Sequence, residues 1–201
     1  MGTVKSLLLG MCFVLGACTS QTSTVQTTEK GTQWEWQNGT IVVKTPERPA
    51  GQKSVLGLTT PKLEAVRVGF VGLGMRGPGA VERFTYIPGT QVVALCDYEE
   101  ARADKCQELL KKASMPKAAV YSGDKGYEEL CKRDDIDLVY IAADWLHHFP
   151  VAKCALENGK NVAIEVPSAM NLQECWDLIN LSESTPVSYT HLRAHETSQD
   201  L

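Results

Sequence analysis

The sequence contains few of the residues from which metal centres and disulfide frameworks are built. Only four histidines occur among 201 residues, and two of them lie within the last eleven. Five of the seven cysteines lie beyond the N-terminal segment, and they form no C-x-x-C pair: Cys96, Cys106, Cys131, Cys154 and Cys175. An odd number of cysteines without paired spacing argues against a zinc site and against a set of disulfides.

The chain also lacks an excess of basic residues. Lys and Arg number 20 against 24 Asp and Glu, so the formal net charge is −4. A protein that grips nucleic acid through its phosphates usually has a basic surface, so the sequence predicts no nucleic-acid partner. The 43% hydrophobic and 22% charged residues are ordinary values for a globular protein.

The N-terminal apolar run, from Leu7 to Leu15, is too short to span a membrane but has the length of a signal-peptide core. It ends in Leu-Gly-Ala-Cys18, and small residues before a cysteine resemble the cleavage site of bacterial lipoproteins. We therefore predict a lipoprotein signal peptide over residues 1–18, with lipid on Cys18. The alternative is an ordinary signal peptide with an incidental cysteine. Thr19 in place of Asp favours the outer membrane, so we expect a lipid-anchored protein of the bacterial cell envelope, on its periplasmic or surface face.

Residues 19–64 are predicted to connect this anchor to a folded domain. The Ser-, Thr- and Gln-rich residues 19–33 bury too little apolar surface to fold and suit a flexible tether. Trp34 and Trp36 then alternate with polar residues, and Asn38-Gly39 is a strong signal for a two-residue hairpin turn. We predict a small hairpin whose second strand is Thr40–Val43, followed by an irregular surface linker over residues 46–64.

The most informative stretch runs from Val66 to Asp97. An apolar run ends at Gly72, and Gly72, Gly74 and Gly77 follow the G-x-G-x-x-G spacing that precedes a predicted helix. In this context Gly72 permits a tight turn, Gly74 lets backbone approach a pyrophosphate, and Gly77 lets the helix pack closely. The helix N-terminus then offers N–H groups to the phosphates. The alternative is a tight turn without a ligand.

Asp97 ends the second predicted strand, twenty residues beyond Gly77. A carboxylate there can accept hydrogen bonds from both ribose hydroxyls and would repel a 2′-phosphate, which favours NAD over NADP. Because Glu100 follows three residues later, Asp97 also fits a helix N-cap. The two roles are compatible if the carboxylate shares its acceptor sites.

The rest of residues 65–185 continues the alternation of strands and helices. The strands are predicted at 66–71, 91–96, 118–121, 137–142 and 161–165, and the helices at 77–87, 98–113, 126–133, 148–158 and after Asn171. Asn171, with Glu174 three residues later, is predicted to cap the last helix. Pro150 is predicted in the first turn of the fourth helix, where its missing N–H costs nothing. This order predicts an α/β domain with a Rossmann-type doubly wound parallel sheet.

Ligands of such sheets bind beyond the carboxyl ends of the strands, which singles out three loops. In the first, Arg76 could contact pyrophosphate or be a solvated surface charge. In the second, Trp145 could pack on the nicotinamide ribose with a histidine bonded to it, or be a core residue beside a helix-capping histidine. In the third, Glu165 could reach a ribose or nicotinamide, or be a structural carboxylate that accepts backbone N–H groups.

The last segment does not fit the domain pattern. Residues 186–201 include SYTHLRAHET, which resembles translated sequencing-adapter read-through, and we expect them to be an artefactual tail. His191 and His195 have the spacing of a helical metal pair. Incidental residues in a foreign tail are the simpler interpretation, so we predict no metal site.

Five segments together resemble the N-terminal half of the Gfo/Idh/MocA oxidoreductase superfamily. They are VGFVGLGMRG, ALCDYEEARA, DLVYIAADWLHH, ALENGKNVAIEVPSAM and the ECW that follows. Most members have Glu-Lys-Pro in the third loop, with the lysine beside the nicotinamide, whereas this chain has Val166 between Glu165 and Pro167. Valine donates neither a proton nor a hydrogen bond, which argues against an ordinary dehydrogenase. The run EVPSAM-x-L-x-ECW instead resembles the family-109 glycoside hydrolases, best known as α-N-acetylgalactosaminidases.

The resemblance implies a set of NAD contacts around the three glycines. Ala143-Asp144 departs mildly from the Thr-Pro or Thr-Asp usual before the tryptophan of the second loop. The implied contacts are Met75, Arg76, Asp97, Trp145, Leu146, His147, His148, Glu165 and Val166.

The implied reaction is hydrolysis of a glycan or small sugar through a redox cycle. The sugar C3 hydroxyl is oxidised to a ketone with NAD taking the hydride, the acidified C2 proton is removed, and the C1 substituent leaves. Water adds, and the ketone is reduced again. The alternatives are an NAD-dependent sugar or inositol dehydrogenase, and a non-catalytic dinucleotide-binding surface lipoprotein.

In the family, the acid–base and sugar-binding residues lie in a second, C-terminal α/β domain. We expect that domain to be missing from this chain, which then contains no catalytic residue and is inactive by itself. Oligomers, if formed, would use the missing domain.

Overall fold

The computed structural model describes residues 26–27, 33–44, 47–55, 57–185 and 187–191. The predicted signal peptide, Cys18 and His195 lie outside the described residues, as do most of the predicted tether and tail. Within the described ranges, no helix combines the length and apolar character needed to cross a membrane.

A small antiparallel sheet precedes the main domain. It contains β1 (Gln26–Thr27), β2 (Gln33–Gln37) and β3 (Thr40–Val43) in that order. The predicted hairpin is confirmed, because β2 pairs with β3 and Gln37 faces Thr40. Asn38 and Gly39 have φ angles of 50° and 79°, as a tight two-residue turn requires. The sequence did not predict β1.

The main domain alternates strands with helices, as predicted. Its elements are β4 (Val66–Val71), α1 (Gly77–Thr85), β5 (Thr90–Asp97), α2 (Glu100–Lys112), β6 (Ala119–Ser122), α3 (Gly126–Cys131), β7 (Leu138–Ile141), α4 (Trp145–Glu157), β8 (Asn161–Ile164), α5 (Leu172–Ser184) and β9 (Tyr189–His191). The strands form one parallel sheet in the order β6-β5-β4-β7-β8-β9. This order confirms the doubly wound Rossmann-type sheet. The direction in which successive strands are added reverses between β4 and β7, and folds of this type bind ligands at such a point.

Each face of the sheet has its own apolar core. Successive strand residues point to opposite faces, so Phe70 packs with buried residues of α1 and α2, while Val71 packs with those of α3, α4 and α5. Both faces are thus covered, which explains why the central strands are apolar without polar alternation.

The five cysteines described in the structure have free thiols. Cys96, Cys106 and Cys131 are buried, and Cys154 and Cys175 are partly buried. Burial raises the pKa of Cys96 to about 12 and that of Cys106 to about 11. These two therefore act as small hydrophobic residues.

The start of α4 differs from the prediction. The helix begins at Trp145 because the Asp144 side chain accepts a hydrogen bond from the Leu146 N–H and caps it. Pro150 consequently lies inside the helix, and its predicted place in the first turn was wrong. The helical spacing of apolar residues that face the core begins only at His148. The preceding turn was not predicted because its apolar side chains face solvent. The prediction that Asn171 caps α5 is confirmed by its bond from the Glu174 N–H at 3.1 Å.

The linker lies on the domain surface, as predicted. Arg48 forms an ion pair of 2.8 Å with Glu183, and Gln52 donates to the Asn180 carbonyl at 3.1 Å. Both partners belong to α5. These contacts attach residues 47–55 to the last helix.

The edge strand β9 is a further difference. Tyr189 pairs with Val162 in parallel register, and Val187 before it is only 6% exposed. No periodicity in the sequence indicates a strand of three residues. The artefactual origin of residues 186–201 stays a prediction.

Candidate functional site at the carboxyl edge of the sheet

Two of the three glycines in the turn after β4 are required by the fold itself. Gly72 has φ of 91°, and a Cβ there would lie 2.3 Å from the Ala143 nitrogen. A Cβ on Gly77 would lie 2.1 Å from the Gly72 carbonyl oxygen. Both contacts are with backbone, which cannot rotate away as a side chain can.

Gly74 is different. Within 4 Å of a Cβ built there, the sole heavy atom recorded is Arg102 Nη1, at 3.6 Å. Nothing in the described part of the chain therefore requires glycine at this position. The free space beside its backbone is what a pyrophosphate needs for close approach, so the residues present fit a dinucleotide.

The N-terminus of α1 is available to an anion. Arg76 is its N-cap residue and forms no side-chain cap bond, and the first turn contains no acidic residue. Met75 is 93% exposed, and Arg76 is exposed as well. Unpaired N–H groups and the helix dipole favour phosphate at such a place.

Asp97 joins the end of β5 to the glycine turn. Its Oδ2 accepts from the Leu73 N–H at 2.6 Å, and its Oδ1 accepts from the Glu99 N–H at 3.0 Å and lies 3.3 Å from Arg102 Nη1. The carboxylate is only 5% exposed. The helix-cap alternative was wrong, because Glu99 is the N-cap residue of α2. The Asp97 side chain instead accepts from the N–H of Glu99, two residues later, which makes an Asx-type turn. The sequence pattern does not distinguish such a turn from a helix cap.

The first turn of α4 presents apolar side chains to solvent. Trp145 is 60% exposed and Leu146 is 74% exposed, so the core-tryptophan alternative was wrong. His147 Nδ1 lies 2.6 Å from Asp144 Oδ2. Burial tends to raise the pKa of Asp144, but bonds from His147 and the Leu146 N–H outweigh it and hold that pKa below its usual value. A flat, exposed indole beside a fixed ionised carboxylate suits a ligand with both aromatic and hydroxyl groups.

His148 is oriented inside the protein. Its side chain is 1% exposed, and Nδ1 lies 2.6 Å from the Pro167 carbonyl oxygen. This contact ties α4 to the loop after β8. The helix-capping alternative was wrong because Asp144 is the cap. Nε2 is buried without a partner in the described structure, so a contact of His148 with the cofactor, through this nitrogen, stays a prediction.

The loop after β8 contains Glu165, Val166 and Pro167. Glu165 Oε1 accepts a hydrogen bond of 2.8 Å from the Tyr140 hydroxyl. The hydrogen-bond donor to Glu165 is thus a phenol. The alternative stated for Glu165, a structural carboxylate, expected backbone N–H groups as the donors. Val166 is 44% exposed, and the Val166–Pro167 peptide bond is cis.

The three predicted loops therefore meet at the edge where the strand order reverses. Sequence reasoning missed Tyr140, Arg102 and Asp144. A phenol within an otherwise apolar strand was a usable signal for Tyr140, because a buried hydroxyl needs a partner. No pattern pointed to Arg102, whose role depends on where α2 lies against β5.

Residues 66–191 match the family model Gfo/Idh/MocA, described as an oxidoreductase family with an NAD-binding Rossmann fold. The chain is 79% identical over 186 residues to glycosyl hydrolase family 109 protein 4 of Phocaeicola vulgatus. That match covers 92% of this chain and 36% of the relative, so the chain spans about a third of the relative's length.

Solved structures with the same fold bind different dinucleotides. A myo-inositol dehydrogenase of Lactobacillus casei, in complex with NAD(H) and myo-inositol, aligns with a TM-score of 0.53 at 22% identity. It covers 62% of this chain and 36% of that one. A biliverdin reductase of Synechocystis, in complex with biliverdin and NADP+, aligns with a TM-score of 0.51 at 25% identity over 62% and 37% of the two chains. The fold therefore indicates a nicotinamide dinucleotide but does not choose between the two forms.

Proposed function

The chain belongs to the Gfo/Idh/MocA oxidoreductase family, and we propose on this premise that its domain binds NAD at the three loops described above. The observation that carries the proposal is the free space at Gly74 beside the uncapped N-terminus of α1. The pyrophosphate would be held by these backbone N–H groups and by Arg76. Trp145, Leu146 and His147, together with Glu165 and Val166, would border the ribose and nicotinamide. When bound, the cofactor supplies reversible hydride transfer.

The choice of NAD over NADP rests on Asp97. Its buried carboxylate stands at the end of β5, where it can accept from ribose hydroxyls. A 2′-phosphate at this place would meet a negative charge. Two unit charges about 4 Å apart near a protein surface repel by about 4 kcal/mol. Arg102, 3.3 Å from Oδ1, offsets part of this repulsion.

Fluorescence titration of the 201-residue chain tests both statements. We expect NADH to bind at least about tenfold more tightly than NADPH, since a difference of 1.4 kcal/mol already gives that ratio. Arg102→Gln is the matched variant, because it removes the positive charge beside the carboxylate and should widen the preference for NADH. Equal affinity for the two cofactors would contradict the assignment of Asp97, and absence of binding would contradict the proposed function.

We further propose that the complete parent protein hydrolyses terminal α-N-acetylgalactosamine, with the sugar C3 hydroxyl oxidised and later restored. The 79% identity to a family 109 glycosyl hydrolase and the exposed Val166 support this reading. In the proposed reaction, the residues of this domain hold the cofactor and orient it. Asp97, Glu165 and the glycine turn fix its two ends, and Trp145 shields it from water.

The proposed location is the bacterial cell envelope, through lipid on Cys18. Its support is the apolar run that ends in Leu-Gly-Ala-Cys18. Expressed from Met1 in a bacterium with lipoprotein processing, the protein should incorporate labelled palmitate and fractionate with outer membranes. Cys18→Ala should abolish both results. Secretion of a normally cleaved, unlabelled protein would favour the incidental-cysteine alternative.

A further inference from the structure

Tyr140 is a polar residue inside the core of the sheet. It lies on β7 and is 4% exposed. Its ring is fixed by two aromatic neighbours, with centroid distances of 5.1 Å to Phe70 and 5.6 Å to Phe84. Since the ring cannot turn freely, the direction of its hydroxyl is determined by the fold.

That hydroxyl connects β7 to the loop after β8, because it donates to Glu165 Oε1 at 2.8 Å. The positive charge of Arg83, in the last turn of α1, favours the ionised form of the phenol. Burial, together with the bond to Glu165, raises the pKa of Tyr140 to about 12, although Arg83 lowers it. The phenol is therefore protonated at neutral pH and remains a donor to the carboxylate.

The contact leaves half of the Glu165 carboxylate unused. Tyr140 engages Oε1, while the described structure records no hydrogen bond to Oε2. We propose that Tyr140, supported by Arg83, is the positioning residue that orients Glu165, so that Oε2 accepts a hydroxyl or amide N–H of the bound dinucleotide. This inference rests on the proposed function, because it names how one residue of that site is held.

A purely structural role for Tyr140 makes a different prediction. The hydroxyl would then contribute to the stability of the fold, and its removal would leave affinity for the dinucleotide unchanged. The two roles therefore separate when affinity and stability are measured on the same variants.

The experiment is a double-mutant cycle in the 201-residue chain, read out by NADH titration and by thermal unfolding. Tyr140→Phe keeps the ring and removes the hydroxyl, and we expect it to weaken NADH binding about tenfold, as for loss of one bond to a charged group. Glu165→Gln should weaken binding similarly. The double variant should be no worse than Glu165→Gln alone, because the hydroxyl acts only through this carboxylate. Tyr86→Phe, on a side chain that is 75% exposed, is the control and should bind as the unchanged chain does.

Arg83→Gln is a second test of the inference. Because Arg83 is exposed, its replacement should not unfold the domain. A two- to threefold loss of affinity is expected, because the phenol keeps its ring packing (about 0.5 kcal/mol corresponds to this ratio). Unchanged affinity in Tyr140→Phe, or effects that add fully in the double variant, would overturn the inference alone. If the unchanged chain does not bind NADH, the proposed function falls and this inference falls with it.

Discussion

Alanine at Gly74 is expected to leave the fold intact and weaken NADH binding at least about a hundredfold, whereas alanine at Gly72 or Gly77 is expected to destabilise the fold. The methyl group of Gly74→Ala would meet Arg102 Nη1 at 3.6 Å, an ordinary contact. It would, however, occupy the space that a pyrophosphate needs against the backbone. A hundredfold loss corresponds to about 2.8 kcal/mol.

The other two positions have no such room. Methyl groups at Gly72 and Gly77 would lie 2.3 Å and 2.1 Å from backbone atoms, and Gly72 also has φ of 91°. Relief would require separating the turn from the end of β7 or from α1. Overpacking of this kind and a strained φ together cost about 3 kcal/mol or more.

Gly159 supplies the matched control. It has φ of 70°, with nothing recorded within 4 Å of a Cβ, and it follows α4. Gly159→Ala should therefore lower the free energy of unfolding by only about 1 kcal/mol and leave binding unchanged. Urea denaturation and NADH titration of the four variants measure both effects. Normal binding by Gly74→Ala would remove the observation on which the cofactor site rests.

This contrast also shows what the sequence could and could not predict. The G-x-G-x-x-G spacing identified the turn, because the local backbone conformation of such a turn requires glycine at fixed positions. It could not show that Gly72 is crowded by Ala143, some seventy residues away, since that contact depends on β4 and β7 being neighbours. The alternation of apolar segments predicted every strand of the main sheet except β9, whose three residues are too few to form a pattern.

The side-chain bonds within the site were less predictable than the loops that carry them. Asp97 was identified as an acceptor, but its bonds to the Leu73 and Glu99 N–H groups appear only when the turn and β5 lie together. Likewise, the bond from Tyr140 to Glu165 joins a residue of β7 to the residue that follows the adjacent strand β8. Such pairs depend on register, which one sequence does not specify.

The complete parent protein is expected to release N-acetylgalactosamine without net formation of NADH. Val166 is the residue on which this expectation rests. Its neighbours are fixed, since Glu165 is bonded to Tyr140 and the Pro167 carbonyl to His148. An apolar side chain, 44% exposed, therefore stands at the edge of the site where it can neither donate nor accept a proton. Proton transfer must come from elsewhere in the parent.

Because the hydride removed from C3 returns to the same sugar, NAD should be required but not consumed. Stripping NAD should abolish hydrolysis, and adding it should restore activity while the NADH absorbance stays flat. In D2O the released sugar should contain deuterium at C2, since the C2 proton is lost during elimination and replaced during hydration. The 201-residue chain serves as the control and should bind NADH without hydrolysing the glycoside.

The same assay distinguishes the three hypotheses about the function of the parent protein. One NADH formed per sugar converted would establish net oxidation and favour a sugar or inositol dehydrogenase, despite Val166. Binding of NAD by the parent without turnover of any sugar would favour a non-catalytic surface lipoprotein. Hydrolysis that continues after NAD has been stripped would exclude the redox cycle, and the dinucleotide at Gly74 would then have a structural role. Hydrolysis that depends on NAD, forms no NADH and exchanges C2 is the result expected for the proposed redox cycle, in which Val166 takes no part in proton transfer.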